Sequence, residues 1–178
     1  MRPTFATSRL GLREINAEDG PELQAYQQLP SNWQLQAVDE CEYADGARIE
    51  RDLAFRGSGE TRRLHTFVAR DKAHGHLIGE VGISRTFPRT AAIFFSVTPD
   101  KWGMGYASEL ARFALSFGIE QLHVHRVTAS VAVENPASCR VLEKAGMVRE
   151  GTSRECIEAR GRWWTEHQYA MIASDRRA

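Results

Sequence analysis

The chain has 178 residues, with 23 Lys and Arg against 23 Asp and Glu, and is 42% hydrophobic and 26% charged. That size and composition predict one domain spanning residues 1–178 with a core of its own, and exclude wholesale disorder. A net charge of zero excludes the electrostatic footprint of a general nucleic-acid binder. No run reaches the roughly 18 apolar residues of a membrane span, and the start Met1-Arg2-Pro3-Thr4-Phe5 lacks a signal peptide's apolar stretch. A cytoplasmic protein without nucleic-acid or membrane partners is therefore expected. Cys41, Cys139 and Cys156 are odd in number and in no metal-like spacing, so neither a disulfide framework nor a zinc site is implied. Of the 23 cations 20 are arginine, a bias that genome base composition explains.

In chain order, Leu10 and Leu12 among Arg9, Arg13 and Glu14 predict a short first strand. Asn16-Ala17-Glu18-Asp19 signals a helix start before a weakly helical Pro21–Leu29. Pro30–Glu60 is harder to read, with a helix at Asp45–Phe55. His65–Arg70 and His76–Ser84 are predicted strands around the turn Asp71–Gly75, and Thr90–Thr98 is a third, carrying Ile93-Phe94-Phe95-Ser96-Val97. The period then changes. After the loop Pro99–Gly105, Leu110, Phe113, Ala114 and Phe117 recur at helical spacing, with Glu109, Arg112, Ser116 and Glu120 off that face and Gly118 near the end. Val127, Ala129, Val131 and Val133 alternate as a strand. Asn135-Pro136 then supplies a cap with proline at the first helical position, and Gly146 a stop. Two strands, Thr152–Glu158 and Trp163–Ile172, close the chain around Arg160-Gly161-Arg162. The class is α/β or α+β.

The Pro99–Gly105 loop between strand and helix is a candidate anion site. The first amides of a helix lack intrahelical acceptors and face a partial positive charge, and Gly103 and Gly105 let a ligand approach the backbone. A turn whose glycines serve only the backbone is the competing reading. A Walker A loop is absent, and the third glycine of a dinucleotide fingerprint is replaced by Ser108.

Trp102-Gly103-Met104-Gly105-Tyr106-Ala107-Ser108-Glu109, followed by Glu134-Asn135-Pro136-Ala137-Ser138-Cys139-Arg140 and the run to Met147, resembles the GNAT superfamily of acyl-CoA N-acyltransferases. Within it the chain is similar to the branch of the ribosomal-protein alanine N-acetyltransferases. Ser8-Arg9-Leu10-Gly11-Leu12-Arg13 and Gly161-Arg162-Trp163-Trp164 fit that branch too. The resemblance implies a single GNAT-like domain whose mixed, mostly antiparallel sheet is flanked by helices and contains a parallel pair splayed at Thr90–Thr98 and Arg126–Val133. It also implies acetyl-CoA as cosubstrate and no metal. The pyrophosphate would lie on the amides of Trp102, Gly103, Met104, Gly105, Tyr106 and Ala107 with Ser108 close by, and the pantetheine along Phe95, Ser96, Val97 and Thr98. Asn135 would bond the pantetheine and Ser138 would lie near the thioester sulfur. Local capping is the rival role for both. Lys101, Lys144 and Arg140 are candidates for the 3′-phosphate.

The implied chemistry is direct attack of a neutral primary amine on the thioester, which needs a base, a polarised carbonyl and an acid for the leaving thiolate. Strand amides near Val97 are candidate donors to the oxyanion. Where many relatives carry a tyrosine acid stands Leu142, so Ser138 takes that role. Where the branch carries its carboxylate base stands Ile157; Glu155 lies two residues earlier, on the same face if pairing is regular, and Glu80 is the second candidate. Solvated or ion-paired carboxylates are the competing reading. Thr165 replaces a branch Asp, with Glu166 adjoining. The six histidines are expected at the surface; the pairs His74/His76 and His123/His125 have metal-like spacing but no evident third ligand. Trp33, Tyr43, Trp163 and Trp164 line the acceptor site or else serve packing or a homodimer contact. Two readings result: an N-acetyltransferase acting on a small-molecule amine or a protein N-terminus, or a CoA-binding regulatory module with little catalysis.

Overall fold

A computed structural model describes residues 4–38, 48–55 and 62–175. Eight strands form one sheet in the order β1-β2-β3-β4-β5-β6-β8-β7. They are β1 Thr4–Ala6, β2 Leu10–Glu14, β3 Leu64–Asp71, β4 Leu77–Phe87, β5 Thr90–Val97, β6 Arg126–Ala132, β7 Val148–Ala159 and β8 Arg162–Ile172. Every neighbouring pair is antiparallel except β5 and β6, which are parallel. Between β2 and β3 lie α1 Gly20–Gln27, α2 Pro30–Trp33 and α3 Arg48–Phe55; α4 Tyr106–Ser116 joins β5 to β6, and α5 Pro136–Ala145 joins β6 to β7.

Cross-strand partners share a face of the sheet, so the register assigns the two layers. Phe67, Val81 and Phe95 are mutual partners on one face, and Val68, Glu80 and Ser96 on the other. The first face carries the main core, with Leu110, Ala111, Ala114 and Leu115 of α4 and Leu142 of α5 packed on it. There Phe5, Phe67, Phe113 and Phe117 form an aromatic cluster with centroid separations of 5.0–6.0 Å, mostly edge to face, as the ring quadrupoles favour. The second face carries a smaller cluster of Ile15, Leu23, Tyr26 and Val68, with Leu53 of α3 against it.

The structure adds to or departs from the sequence expectations at several places. β1 is too short for an alternation to register, yet Phe5 anchors it to the aromatic cluster. The helix after the glycine loop nears its end at Gly118, as expected. It widens into a π-helical turn over Phe117–Gln121, and a Cβ on Gly118 would sit 2.6 Å from Ile83 Cδ1. The histidines are not all at the surface: His65 is 8% exposed and packs edge to face on Phe117 at 5.2 Å. Burial is the main cause that pushes its pKa down, against the Glu14 carboxylate 3.2 Å away. Residues 39–47, which contain Cys41, Tyr43 and the start of the expected Asp45–Phe55 helix, lie outside the described residues.

Candidate active site

The parallel pair β5–β6 has three registered partners, Thr90↔Arg126, Ala91↔Val127 and Ala92↔Thr128, although β5 continues to Val97 and β6 to Ala132. Beyond Ala92 the strands diverge and leave an opening. The Thr98 N–H bonds the Ile78 carbonyl on β4. Alternation along an antiparallel ladder therefore turns the backbone groups of Ser96 and Phe94 toward β4 and those of Ile93, Phe95 and Val97 into the opening. The Val97 carbonyl agrees with this direction, since it accepts the Trp102 indole N–H at 2.7 Å. Among the described residues, the Phe95 N–H and C=O and the Val97 N–H have no strand partner there.

At the end of β5, Pro99–Lys101 makes a short 3₁₀ turn, and Gly103 (φ 75°) and Gly105 (φ 81°) follow in the left-handed region. These conformations favour glycine. Gly105 is the N-cap of α4, and its carbonyl accepts Glu109 N–H at 3.2 Å. The amides of Tyr106, Ala107 and Ser108 thus open toward the loop. Trp102, Gly103, Met104 and Gly105 are exposed, while Ser108 is buried beneath.

A clasp absent from the sequence expectations holds this loop. Glu109 accepts from the Thr7 hydroxyl, from Ser8 Oγ at 3.1 Å, from Arg9 N–H at 2.9 Å and from Arg9 Nε at 2.8 Å. Arg9 Nη1 donates to the Met104 carbonyl at 2.9 Å, and the guanidinium lies 4.2 Å from the Tyr106 ring centroid. Burial by itself would raise the Glu109 pKa, but these donors overcome it and hold it down at about 2. The helical period had placed Glu109 on the polar face, whereas its side chain is only 12% exposed under the β1–β2 turn. The signals were present: Arg9 and Glu109 both belong to the segments that carry the resemblance.

On α5, Asn135 Oδ1 accepts Ser138 N–H at 3.0 Å, Pro136 opens the helix, and Gly146 (φ 96°) ends it. The Asn135 oxygen is a cap. Its amide nitrogen and the Ser138 hydroxyl have no bond to described residues, and both residues are half-buried. Leu142 is fully buried in the core. Tyr169 of β8 donates to Glu143 Oε1 at 3.1 Å, and burial first, then Cys139 and Glu143, push its pKa up. Lys101 pairs with Asp100 at 2.8 Å, and the Lys144 carbonyl accepts Arg112 Nη2 at 2.7 Å.

The opposite face brings together a buried polar group. Glu80, 1% exposed, accepts from Gln27 Nε2 at 2.6 Å, and its cross-strand partner Ser96 donates to Asn32 Oδ1 at 2.8 Å. The carboxylate is thus shielded from solvent on the strand that borders β5. Glu155 is placed differently. The β7–β8 register shifts between Ser153 and Ile157, and Glu155 sits in that bulge with φ 46°, exposed, its N–H on Thr165 Oγ1 at 3.1 Å. The regular pairing that would set it two residues along the same face is absent, because the bulge resets the alternation. Glu166 is half-buried, and burial pushes its pKa up.

The terminal hairpin reaches across to the α2 segment. Arg160 Nη1 donates to the Val38 carbonyl at 2.6 Å and Nη2 to that of Gln34 at 3.0 Å, with its guanidinium 5.3 Å from the Trp33 ring centroid and 4.6 Å from that of Trp164. Trp164 is fully buried with Ala132 and Ala159 and so serves packing, whereas Trp163 is 56% exposed.

An antiparallel sheet broken by one splayed parallel pair, with a glycine loop and helix N-terminus at the end of the splay, defines the acyl-CoA N-acyltransferase architecture. Residues 9–148 match the family described as Acetyltransferase (GNAT) domain. The chain belongs to this family and is an acetyl-CoA-dependent N-acetyltransferase. It is 30% identical over 175 residues to the uncharacterized N-acetyltransferase YnaD of Bacillus subtilis, covering 96% of this chain and 98% of that one. It is 33% identical over 99 residues to a spermidine N(1)-acetyltransferase of Vibrio cholerae, covering 54% and 57% of the two chains. Among solved structures, a GNAT-family acetyltransferase from Bacillus anthracis superposes with TM-score 0.80 at 25% identity, covering 96% and 98%. Mycobacterium smegmatis RimJ in complex with CoA-disulfide gives 0.79 at 22% identity, covering 93% and 83%, a likeness of fold.

Proposed function

We propose that this chain acetylates a primary amine by direct attack in a ternary complex, with the acetyl donor in the β5–β6 opening and the acceptor entering beside Glu80. The observation that carries the reading is the outward backbone of Phe95 and Val97 ending at the Gly103–Ala107 loop. Acetyl-CoA fits these groups. Its pyrophosphate needs N–H donors and a close backbone approach, which the loop offers without a net positive charge. Its pantetheine amides need strand-like partners, which the splay leaves free. Acetyl-CoA supplies an activated thioester; the residues do the rest.

Trp102, Gly103, Met104, Gly105, Tyr106 and Ala107 bind the pyrophosphate, with Ser108 beneath. Along Phe95–Thr98 the pantetheine pairs with the backbone of Phe95 and Val97, while Ser96 and Thr98, whose backbone turns toward β4, hold that strand in place; the Asn135 amide nitrogen donates to the arm. The Val97 N–H donates to the developing oxyanion, and the Ser138 hydroxyl delivers a proton to the departing sulfur. Glu80, shielded and adjoining β5, accepts the amine proton directly or through a water. The exposed Glu155 is the weaker candidate for that role. The partial match to a spermidine acetyltransferase puts polyamines first among acceptors, and the sequence resemblance to the ribosomal-protein alanine N-acetyltransferase branch makes a protein N-terminus the second class.

The test is thiol release from acetyl-CoA by the purified chain with polyamines, amino sugars, aminoglycosides, amino acids and N-terminal peptides. At least one amine should accelerate release by orders of magnitude. Tight CoA binding with no acceleration by any class would overturn the catalytic reading.

A further inference from the structure

The β3–β4 turn gathers three ligand-type side chains at one point, none of them assigned above to acetyl transfer. Asp71 Oδ1 lies 3.4 Å from His74 Nδ1 and Asp71 Oδ2 lies 3.7 Å from His76 Nδ1, and one ligand atom from each residue falls within 4.8 Å of the others. The sequence spacing offered two histidines without a third ligand. Folding supplies it, because Asp71 ends β3 and the turn curls back over its carboxylate.

Hydrogen bonds fix the shape of the turn. Asp71 N–H bonds the His76 carbonyl at 3.0 Å and Gly75 N–H bonds the Asp71 carbonyl at 3.0 Å, with Gly75 at φ 75°. The Asp71 carboxylate accepts the backbone N–H of His74 at 2.6 Å and of His76 at 3.0 Å, and the His74 N–H heads the causes that hold its pKa down. The two imidazoles stack at 5.5 Å with a 19° tilt, each Nδ1 toward that one carboxylate. Both rings are about 70% exposed (72% and 69%), so an ion and its waters have access. The nearby cations are engaged elsewhere: Arg70 with Glu22, Lys72 with the Thr7 carbonyl and Lys101 with Asp100.

Two imidazoles and a carboxylate suit late first-row divalent ions. With bonds of about 2.0–2.1 Å, tetrahedral ligand atoms stand roughly 3.4 Å apart; the carboxylate lies 3.4 Å from one imidazole nitrogen and, through its other oxygen, 3.7 Å from the second, and the three ligand atoms within 4.8 Å of one another close onto an ion by side-chain rotation at the surface. We propose that Asp71, His74 and His76 form a binding site for a late first-row divalent cation of the Zn²⁺ class, completed by water. The ion staples the turn. Lys72 N–H bonds the Arg9 carbonyl at 3.0 Å, so the stapled turn adjoins the β1–β2 turn that clasps Glu109.

The test is calorimetric titration of Zn²⁺ into the untagged full chain, repeated with Co²⁺ followed by its visible spectrum. One Zn²⁺ per chain should bind saturably at micromolar concentration, and Co²⁺ should show no thiolate charge-transfer band, which excludes Cys41, Cys139 and Cys156 as ligands. Losing one of three ligands should weaken binding about tenfold or more in Asp71→Asn, His74→Ala and His76→Ala. The histidine variants keep the Asp71 turn bonds, so they test the site even if Asp71→Asn disturbs the fold. Unchanged affinity in all three variants, or no saturable binding to the parent chain, would overturn the proposal. Neither result bears on acetyl transfer, which the amine panel tests separately.

Discussion

Replacing Glu109 by Gln removes the charge at the centre of the β1–β2 clasp while keeping its shape. The carboxylate accepts four bonds, and its pKa is held down from 4.5 to about 2. That difference corresponds to about 3 kcal/mol of preference for the charged form. Arg9 is 45% exposed, and solvent screening of that partner brings the expected loss to about 2 kcal/mol. For a chain of this size the melting temperature should fall by about 4–8 °C at neutral pH. The sign follows from a folded pKa below the unfolded one. The contribution is complete above pH ~4.5 and is lost as pH falls toward ~2. Urea melts of parent and Glu109→Gln should therefore differ most at pH 7, with the gap shrinking by roughly half or more at pH 3. Freed of its tie to Met104 through Arg9, the glycine loop should also give a higher KM for acetyl-CoA, with a smaller change in kcat. An equal stability gap at pH 7 and pH 3 would refute the role of the Glu109 charge.

Three further outcomes follow from the site. Gly105→Asp should abolish CoA binding, since it adds strain at φ 81° and a negative charge where pyrophosphate is proposed to sit; calorimetry with CoA checks it, and unchanged affinity removes that placement. Ser138→Ala should lower kcat by about tenfold to a thousandfold with near-normal CoA affinity, measured by thiol release, and an unaltered kcat would dismiss the hydroxyl as acid. Glu80→Gln preserves an acceptor for Gln27 Nε2 but no base, so kcat should fall about a hundredfold or more and lose its acid limb with pH. A rate that keeps the parent's pH profile would reassign the base.

The elements that were legible in the sequence owe it to local chemistry. Asn135-Pro136 and Gly146 bracket α5 because capping and the left-handed stop act within a few residues. The alternation at Val127–Val131 survives because β6 has one face on the core. Contacts between distant segments were not legible. Arg9 meets Glu109 across a hundred residues, and helical periodicity records only whether a residue avoids its own helix's core face, not what covers the other side. The face read for Glu155 assumed regular pairing, and a bulge interrupts that pairing, since period-two reasoning loses its phase wherever one strand carries extra residues. Glu80 could be named as a strand carboxylate, but its burial depends on α1 delivering Gln27 from another part of the chain. The third metal-type ligand was likewise invisible until the turn closed on Asp71.

The three rungs at Thr90–Ala92 are also the seam of the sheet. Among the described strands they are the one ladder between a five-stranded half, β1 to β5, and a three-stranded half, β6 to β8. Short ladders open at lower free energy than long ones, so the seam amides should exchange with solvent faster than those of β3 and β4. A pantetheine arm carries two amides and is, to a strand edge, a brief length of peptide. Lodged in the seam it would extend the ladder where the protein's own chain diverges, and the donor would act as mortar between the halves for as long as it is bound.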